Sequence, residues 1–359
     1  MIVSPLQAWL PTPQGGPVVI AGPCSAESEG QVLDTARALA ATGKVQAFRA
    51  GVWKPRTRPG GFAGLGDVAL PWLARVKAET GLLTTTEVAR PEHVEACLRA
   101  GIDILWIGAR TVVNPFSVQD LADALRGVDV PVLVKNPVSP DLGLWIGALE
   151  RFAMAGITRL AAVHRGFSRY EVSRYRNPPE WQIAIELRER LPQMPLICDP
   201  SHMGGDAALI EPLSHAALDM GYDGLMIEVH PNPPAALSDA KQQITPGRLE
   251  VLLRELALAP EDRPVPAEIL ALRTRIDELD AQIVDMLAAR LDLVTEIGLI
   301  KRAEHIPILQ LDRWRQVQTA RLAQAEALGI DKELITRLYQ LVHVASLQVQ
   351  ERTVQAVGR

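Results

Sequence analysis

VVIAGPCS at residues 18–25 is a short apolar run ending in a small polar turn. Seven runs of the same kind follow: AFRAGVW (47–53), LLTTTEV (82–88), ILWIGAR (104–110), VPVLVKN (130–136), RLAAVHRG (159–166), PLICDPS (195–201) and GLMIEVH (224–230). Runs this continuously apolar are strands buried on both faces, as in a parallel sheet covered by helices. Each is followed by room for an amphipathic helix. Eight such units predict an α/β chain whose strands close into a (β/α)8 TIM barrel, since an open doubly wound sheet usually has fewer strands.

The composition sets the outer limits. At 359 residues, 48% apolar and 22% charged, the chain is too hydrophobic to be disordered and fits a large barrel plus an appendage. With 37 Lys+Arg against 42 Asp+Glu it lacks the positive field that captures nucleic acid. Three cysteines, Cys24, Cys97 and Cys198, do not make a disulfide framework. The first cationic side chain is Arg37, which argues against a secretory signal, and no run approaches membrane-spanning length. A soluble cytoplasmic protein is expected.

Residues 1–258 are assigned to the barrel, 259–267 to a linker rich in proline and charge, and 268–359 to an all-α domain. In that tail Ile269, Leu272, Ile276, Leu279, Ile283, Met286, Leu293, Ile297 and Ile300 keep three-four spacing, which predicts one long helix. Two more helices are expected at 311–327 and 332–354, parted by LGID at 328–331. From residue 263 onward the charges balance at 13 of each sign, so the net charge of −5 belongs to the barrel half.

In such barrels chemistry sits at the carboxyl ends of the strands. Those ends carry Cys24, then Arg49 with Lys54 and Arg56, then Glu87, Arg110, Lys135, Arg165, His202 and Glu228. Six cations on one rim of an acidic protein imply a polyanionic ligand bearing phosphate and carboxylate. Cys24, His202, Glu228 and Asp239 are competent first-row metal ligands, suited to a catalytic divalent ion. His230, two residues beyond Glu228, is a rival ligand or supporting partner. Cys97 and Cys198 read as core, His164 as positional, and His93 and His215 as surface or capping residues. GLGDVA (64–69) mimics a dinucleotide motif but follows no strand, so its glycines are expected to let a loop close over the bowl.

AGPCS (22–26), FRAGVWKPRT (48–57), IGAR (107–110), VKN (134–136), DPSH (199–202), EVHP (228–231) and LSDA (237–240) together resemble the 3-deoxy-D-arabino-heptulosonate 7-phosphate (DAHP) synthases, in order across nearly the whole barrel. The resemblance implies condensation of phosphoenolpyruvate with erythrose 4-phosphate. It places Arg110 and Arg165 on the phosphate of phosphoenolpyruvate and Arg49, Lys54 and Lys135 on its carboxylate. Arg56 and Thr57 would hold the sugar phosphate, and Cys24, His202, Glu228 and Asp239 a divalent Mn, Fe, Co or Zn ion. Lys54 is the candidate general acid and Glu87 the candidate for steering water. The sibling octulosonate 8-phosphate synthases carry Ala-Asn-Arg where this chain has Lys54-Pro55-Arg56-Thr57, which favours the four-carbon sugar. The barrel's early start implies that the regulatory N-terminal extension of some relatives is missing.

Composition alone would make the tail a dimerising module, but its apolar stripe places Arg290 where a core residue belongs. A buried guanidinium needs an anion. Lys301 lies eleven positions on, about 20° round the same face, whereas Arg273 is about 100° away. LALRTRIDELDAQIVDMLAARLDLVTEIGLIK (270–301), QLDRW (310–314) and ITRLYQLVHVASLQVQ (335–350) resemble the all-helical chorismate mutases. That resemblance implies a chorismate site of Arg273, Arg290, Lys301, Gln310, Arg313, Ser346 and Gln350. Arg290, Lys301 and Gln350 would be catalytic, and Arg273 would reach the partner's site in an intertwined homodimer. Gln310 and Trp314 depart from the family, which often has carboxylates at both positions.

The expected function is therefore a fused synthase and mutase, assembling as a homodimer or homotetramer, with chorismate or prephenate feeding back on the barrel. Two alternatives stay open: a synthase whose tail only dimerises and senses effector, and an octulosonate 8-phosphate synthase.

Overall fold

The computed structural model describes residues 1–12, 16–55, 60–170, 173–257 and 266–356. The chain forms two compact units, Met1–Pro260 and Glu261–Arg359. Each expected strand run forms a strand: β1 Val18–Gly22, β2 Ala47–Arg49, β3 Leu83–Val88, β4 Ile104–Ile107, β5 Val132–Lys135, β6 Leu160–His164, β7 Leu196–Cys198 and β8 Gly224–Glu228. All pair in parallel in sequence order, and β8 returns to β1 to close the barrel.

The helices of the first unit are α1 Glu29–Ala41, α2 Leu70–Thr80, α3 Pro91–Arg99, α4 Ala109–Val112, α5 Pro115–Ala124, α6 Leu142–Met154, α7 Trp181–Arg190, α8 Pro200–Gly204, α9 Ile210–Asp219 and α10 Pro246–Ala257. Local sequence sets several starts. Ser28, Asn114 and Asp141 cap α1, α5 and α6 by accepting hydrogen bonds from first-turn amides.

Because side chains alternate across each strand, the barrel has two cores. Val19, Ala21, Phe48, Leu105, Ile107, Val132 and Val134 face the helices. Val18, Ile20, Ile104, Trp106, Leu133, Val163, Ile197 and Met226 fill the interior, together with Leu6, Trp9 and Leu10 from the N-terminal segment. Trp106 is fully buried and among the largest side chains in the interior. A close backbone approach is at Gly22, whose φ is 149°: a Cβ there would lie 2.1 Å from the carbonyl oxygen of Arg49. A side chain would therefore part β1 from β2.

The second unit is three helices, α11 Ala267–Ala303, α12 Leu311–Ala327 and α13 Lys332–Ala356, the latter two starting where the sequence places them. Most of the expected linker, 259–265, lies outside the described residues, and Ala267 is already helical. Gly298 lets α13 approach α11, since a Cβ there would touch Gln350 at 3.3 Å. The long apolar stripe is not fully covered within the unit: Leu272, Ile276, Leu279, Met286 and Leu293 remain more than half exposed. A helix of 37 residues, about 55 Å long, overruns the shorter α13 packed on it, and α12 packs on α13. Among the described residues no helix is long and apolar enough to cross a membrane.

His164, at the end of β6, is sealed among Trp145, Phe167, Trp181 and Tyr222, and its Nδ1 lies 2.8 Å from the Tyr222 hydroxyl. Burial pulls its pKa down from 6.5 to about 3. The folded protein thus keeps it neutral while the unfolded chain protonates it. Stability present above pH 6.5 is therefore lost as pH falls towards 3, by up to about 1.4 kcal/mol per unit. Denaturant titrations between pH 7 and 4 should show His164→Gln losing less stability on acidification than the wild type. Parallel profiles would mean that this histidine does not titrate on unfolding.

Candidate active site

Because the strands are parallel, their carboxyl ends share one rim. A cavity of about 360 Å³ opens there, lined by Lys54, Glu87, Arg110, Lys135, Arg165, Arg176, His202 and Asp239. Cys24, Arg49 and Glu228 are fully buried beside it. Arg49 Nη2 donates to Glu228 Oε1 at 3.0 Å, and its guanidinium lies 4.9 Å from the Trp106 ring. Arg49 Nε and Nη1 are buried without hydrogen-bond partners, so they can still serve an anion. Lys135 Nζ sits 5.7 Å from the same ring and donates to Asp199 Oδ2 at 2.7 Å.

Asp199 links this cation to His202, whose Nδ1 lies 2.8 Å from Oδ2 and 3.0 Å from Oδ1. A carboxylate only accepts, so His202 carries its proton on Nδ1 and its Nε2 lone pair, 3.7 Å from Glu228 Oε1, stays open. On the other side Cys24 Sγ lies 3.2 Å from Asp239 Oδ2, and Lys54 Nζ is 3.1 Å from the same sulfur. Arg176 Nη1 donates to Asp239 Oδ1 at 2.9 Å.

Desolvation is the largest influence on Cys24, Arg165, Asp199, His202, Glu228 and Asp239. It pushes the Cys24 thiol up to about 12, with the Glu228 charge adding to it. It pulls His202 down, keeping the imidazole neutral, and brings Arg165 to about 10, still a cation at neutral pH. Burial would raise the Glu228 and Asp199 carboxyls, but His202 and the neighbouring cations more than offset it and hold both below their ordinary range. Asp239 is likewise held low, chiefly by Arg176 against its own burial.

The four expected metal ligands are thus neighbours: Cys24 with Asp239, His202 with Glu228. Among the described residues, no three His, Cys, Asp or Glu side chains are spaced as ligands of one ion. Their chemistry still fits a divalent ion, because a lone pair on imidazole, a thiol and two carboxylates meet at one rim. His230 is buried nearby, its Nε2 without a hydrogen-bond partner. Its Nδ1 accepts from the Asn232 amide at 3.0 Å, and its Nε2 lies 3.6 Å from Glu27. Arg56 and Thr57 lie outside the described residues.

Several contributors escaped the sequence reading. Arg176 comes from the loop between β6 and α7, beyond any strand end. Asp199 looked like part of a strand terminus, yet it is the hub joining Lys135 to His202. Gly108 seats Glu87: a Cβ there would lie 2.0 Å from Glu87 Oε1, while Trp106 Nε1 donates to Oε2 at 3.2 Å. His93, read as a surface or capping residue, stacks on Trp53 with ring centroids 4.0 Å apart and accepts from the Ala89 amide. Gly64 and Gly66 pack against Val52 and Trp53, so they seat the loop after β2. Cys97 and Cys198 are fully buried core residues, as expected.

In the tail, Arg290 Nη1 donates to Ser346 Oγ at 2.7 Å, and Lys301 Nζ to the Ile308 carbonyl at 2.7 Å. Gln350 is buried one turn beyond Ser346, its Oε1 without a partner. Arg290, Ser346 and Gln350 therefore gather between α11 and α13. Arg273, Gln310 and Arg313 are exposed. Trp314 stacks on His343, centroids 4.1 Å apart.

A closed barrel with cations, an open imidazole lone pair and paired carboxylates at its carboxyl rim defines an enzyme for anionic substrates. The chain belongs to the DAHP synthetase I family, whose model matches residues 12–259, and residues 272–351 match chorismate mutase type II. A phospho-2-dehydro-3-deoxyheptonate aldolase of Thermotoga maritima is 33% identical over 238 residues, 66% of this chain and 68% of that protein. A 2-dehydro-3-deoxyphosphooctonate aldolase of Nitratidesulfovibrio vulgaris is 30% identical over 262 residues, 67% and 90% of the two chains. The crystal structure of the Thermotoga maritima DAHP synthase superposes with a TM-score of 0.60 at 31% identity, covering 67% of this chain and 68% of that one. A truncated form of that organism's synthase gives 0.58 at 29%, covering 67% and 85%.

Gly108→Ala should drive Glu87 off its seat and cut synthase turnover about a hundredfold, as misplacement by an ångström does. Added to Glu87→Gln it should cost nothing more. Additive losses in that double-mutant cycle would show that Gly108 acts elsewhere.

Proposed function

We propose that the barrel condenses phosphoenolpyruvate with erythrose 4-phosphate and water to give DAHP and inorganic phosphate. The observation that carries this reading is the single cavity shared by Lys54, Arg110, Lys135, Arg165 and Arg176 beside the Cys24, His202, Glu228 and Asp239 cluster. Arg110 and Arg165 take the phosphate of phosphoenolpyruvate. Lys54, Lys135 and the unpartnered nitrogens of Arg49 take its carboxylate, and Arg56 and Thr57 the sugar phosphate. A divalent ion held by Cys24, His202, Glu228 and Asp239 would supply Lewis acidity to the aldehyde oxygen.

The enol carbon attacks the aldehyde carbon, and the new hydroxyl takes its proton from Lys54. Burial works against that lysine's charge, but Cys24, Glu228 and Glu87 more than restore it, so Lys54 is a protonated donor. Water steered by Glu87 adds to the cationic carbon left behind, and phosphate leaves with its bridging oxygen. Cations fixed beforehand around both anions lower the cost of bringing them together.

The tail rearranges chorismate to prephenate. Arg290 and Lys301 hold carboxylates, and Gln350 donates to the ether oxygen where charge develops. The half-exposed stripe on α11 supports pairing with a second copy, in which Arg273 serves the partner's site. The enzyme works in the cytoplasm, and chorismate or prephenate at the tail restrains the barrel. A second reading, a tail that senses without catalysing, draws on Trp314, whose indole stacks on His343 and cannot accept a hydrogen bond as a carboxylate would.

In steady-state assays of the full chain, erythrose 4-phosphate should be preferred to arabinose 5-phosphate, and chelation should abolish synthesis until Mn2+ is restored. Preference for the five-carbon sugar would assign the barrel to octulosonate synthesis. Arg290→Ala should cut mutase kcat/KM at least about a hundredfold, by loss of a charge-assisted contact, and relieve inhibition of the synthase by prephenate. Wild-type protein that binds chorismate without consuming it would establish the sensor reading instead.

A further inference from the structure

The loop after β8 carries Asp239 and then two adjacent glutamines, Gln242 and Gln243, with 1% and 2% of their surface exposed. Burying two amide side chains is costly unless both ends of each are bonded. Both are. Gln242 Oε1 accepts from Arg176 Nη1 at 2.6 Å, and its Nε2 donates to Glu228 Oε2 at 2.7 Å. Gln243 Oε1 accepts from the Cys24 amide at 3.0 Å, and its Nε2 donates to the Ser238 carbonyl at 2.9 Å.

The backbone is bent to make this possible. Asp239 has left-handed dihedrals of 50° and 37°, a single turn of 3-10 helix follows at Ala240–Gln242, and Ile244 then bridges back to Val229 just past β8. Left-handed backbone at a residue other than glycine persists only where surrounding contacts hold it. Here those contacts are the Ile244 bridge and the amide pair.

We propose that Gln242 and Gln243 are positioning residues that set the geometry of the divalent-ion site by tying its ligand-bearing segments together. This rests on the reading of Cys24, His202, Glu228 and Asp239 as ligands. Gln242 spans an acid and a base: its NH2 faces the Glu228 carboxylate and its carbonyl faces the guanidinium that holds Asp239. Gln243 ties the end of β1, where Cys24 stands, to the residue before Asp239. A neutral side chain that donates at one end and accepts at the other meets both demands without adding charge beside the ligands. Glutamate at 242 would repel Glu228, and asparagine would be too short to span either gap.

The test uses the full chain and two nearly isosteric variants, Gln242→Met and Gln243→Met, titrated with Co2+. Thiolate-to-cobalt absorption reports the Cys24 bond, and equilibrium dialysis with Mn2+ gives affinity. Each variant should bind at least about tenfold more weakly than wild type, the loss typical of a ligand's supporting partner. Gln243→Met should also weaken the thiolate band. If either methionine variant fails to fold, Gln242→Asn or Gln243→Asn carries the same comparison. Affinities within about twofold of wild type, with an unchanged band, would overturn the proposal and leave the glutamines as packing alone. A wild-type protein that gains no thiolate band with Co2+ would sink the ligand assignment itself, and the inference with it. The two failures are therefore distinguishable.

Discussion

The ion pair between Arg49 and Glu228 is the constraint on which the barrel's rim depends. Both side chains are buried, and the pair joins the end of β2 to the end of β8, across β1. Isolated charges there would be prohibitive, and even a paired set survives only with further hydrogen bonds. Glu228 obtains one from Gln242, and Arg49 lies against Trp106 while two of its nitrogens remain without partners. The arrangement is thus balanced in charge but incomplete in hydrogen bonding. That incompleteness fits a site made for an anion better than one made for stability.

From this pair two chains of polar contacts run outward. Glu228 faces His202, His202 is held by Asp199, and Asp199 holds Lys135. On the other side Lys54 touches Cys24, Cys24 touches Asp239, and Asp239 is held by Arg176. Each buried carboxylate has a cation or an imidazole beside it, which is why the carboxyls here stay ionised despite desolvation. The sequence's weak net charge concealed this, because a whole-chain total does not show which cations and carboxylates meet at one rim.

The barrel was legible because doubly buried parallel strands leave unbroken apolar runs, and their polar ends mark one rim. Side chains that reach the site from strand termini were legible with it. Arg176, Gln242, Gln243 and Gly108 were not. Arg176 sits in the loop between β6 and α7, and the glutamines in one whose path includes left-handed backbone at Asp239 and the Ile244 bridge, none of which has a periodic signature. Gly108 matters for an atom it lacks. In the tail, periodicity located all three helices but overstated coverage of the stripe, because spacing shows which face is apolar and not what lies against it.

Cys24 and Gln243 are 219 residues apart in sequence, Cys24 and Asp239 are 215 apart, and Arg49 and Glu228 are 179 apart. All three contacts cross the region where β8 returns to β1 and the ring closes. Contacts of such long range are costly in chain entropy, which must be spent before they repay it. The Arg49–Glu228 pair and the Cys24–Asp239 contact therefore require the closed ring, however well the individual βα units are formed. Whatever binds only the closed rim would therefore hold the seam shut by mass action, the more so the further its concentration exceeds its dissociation constant.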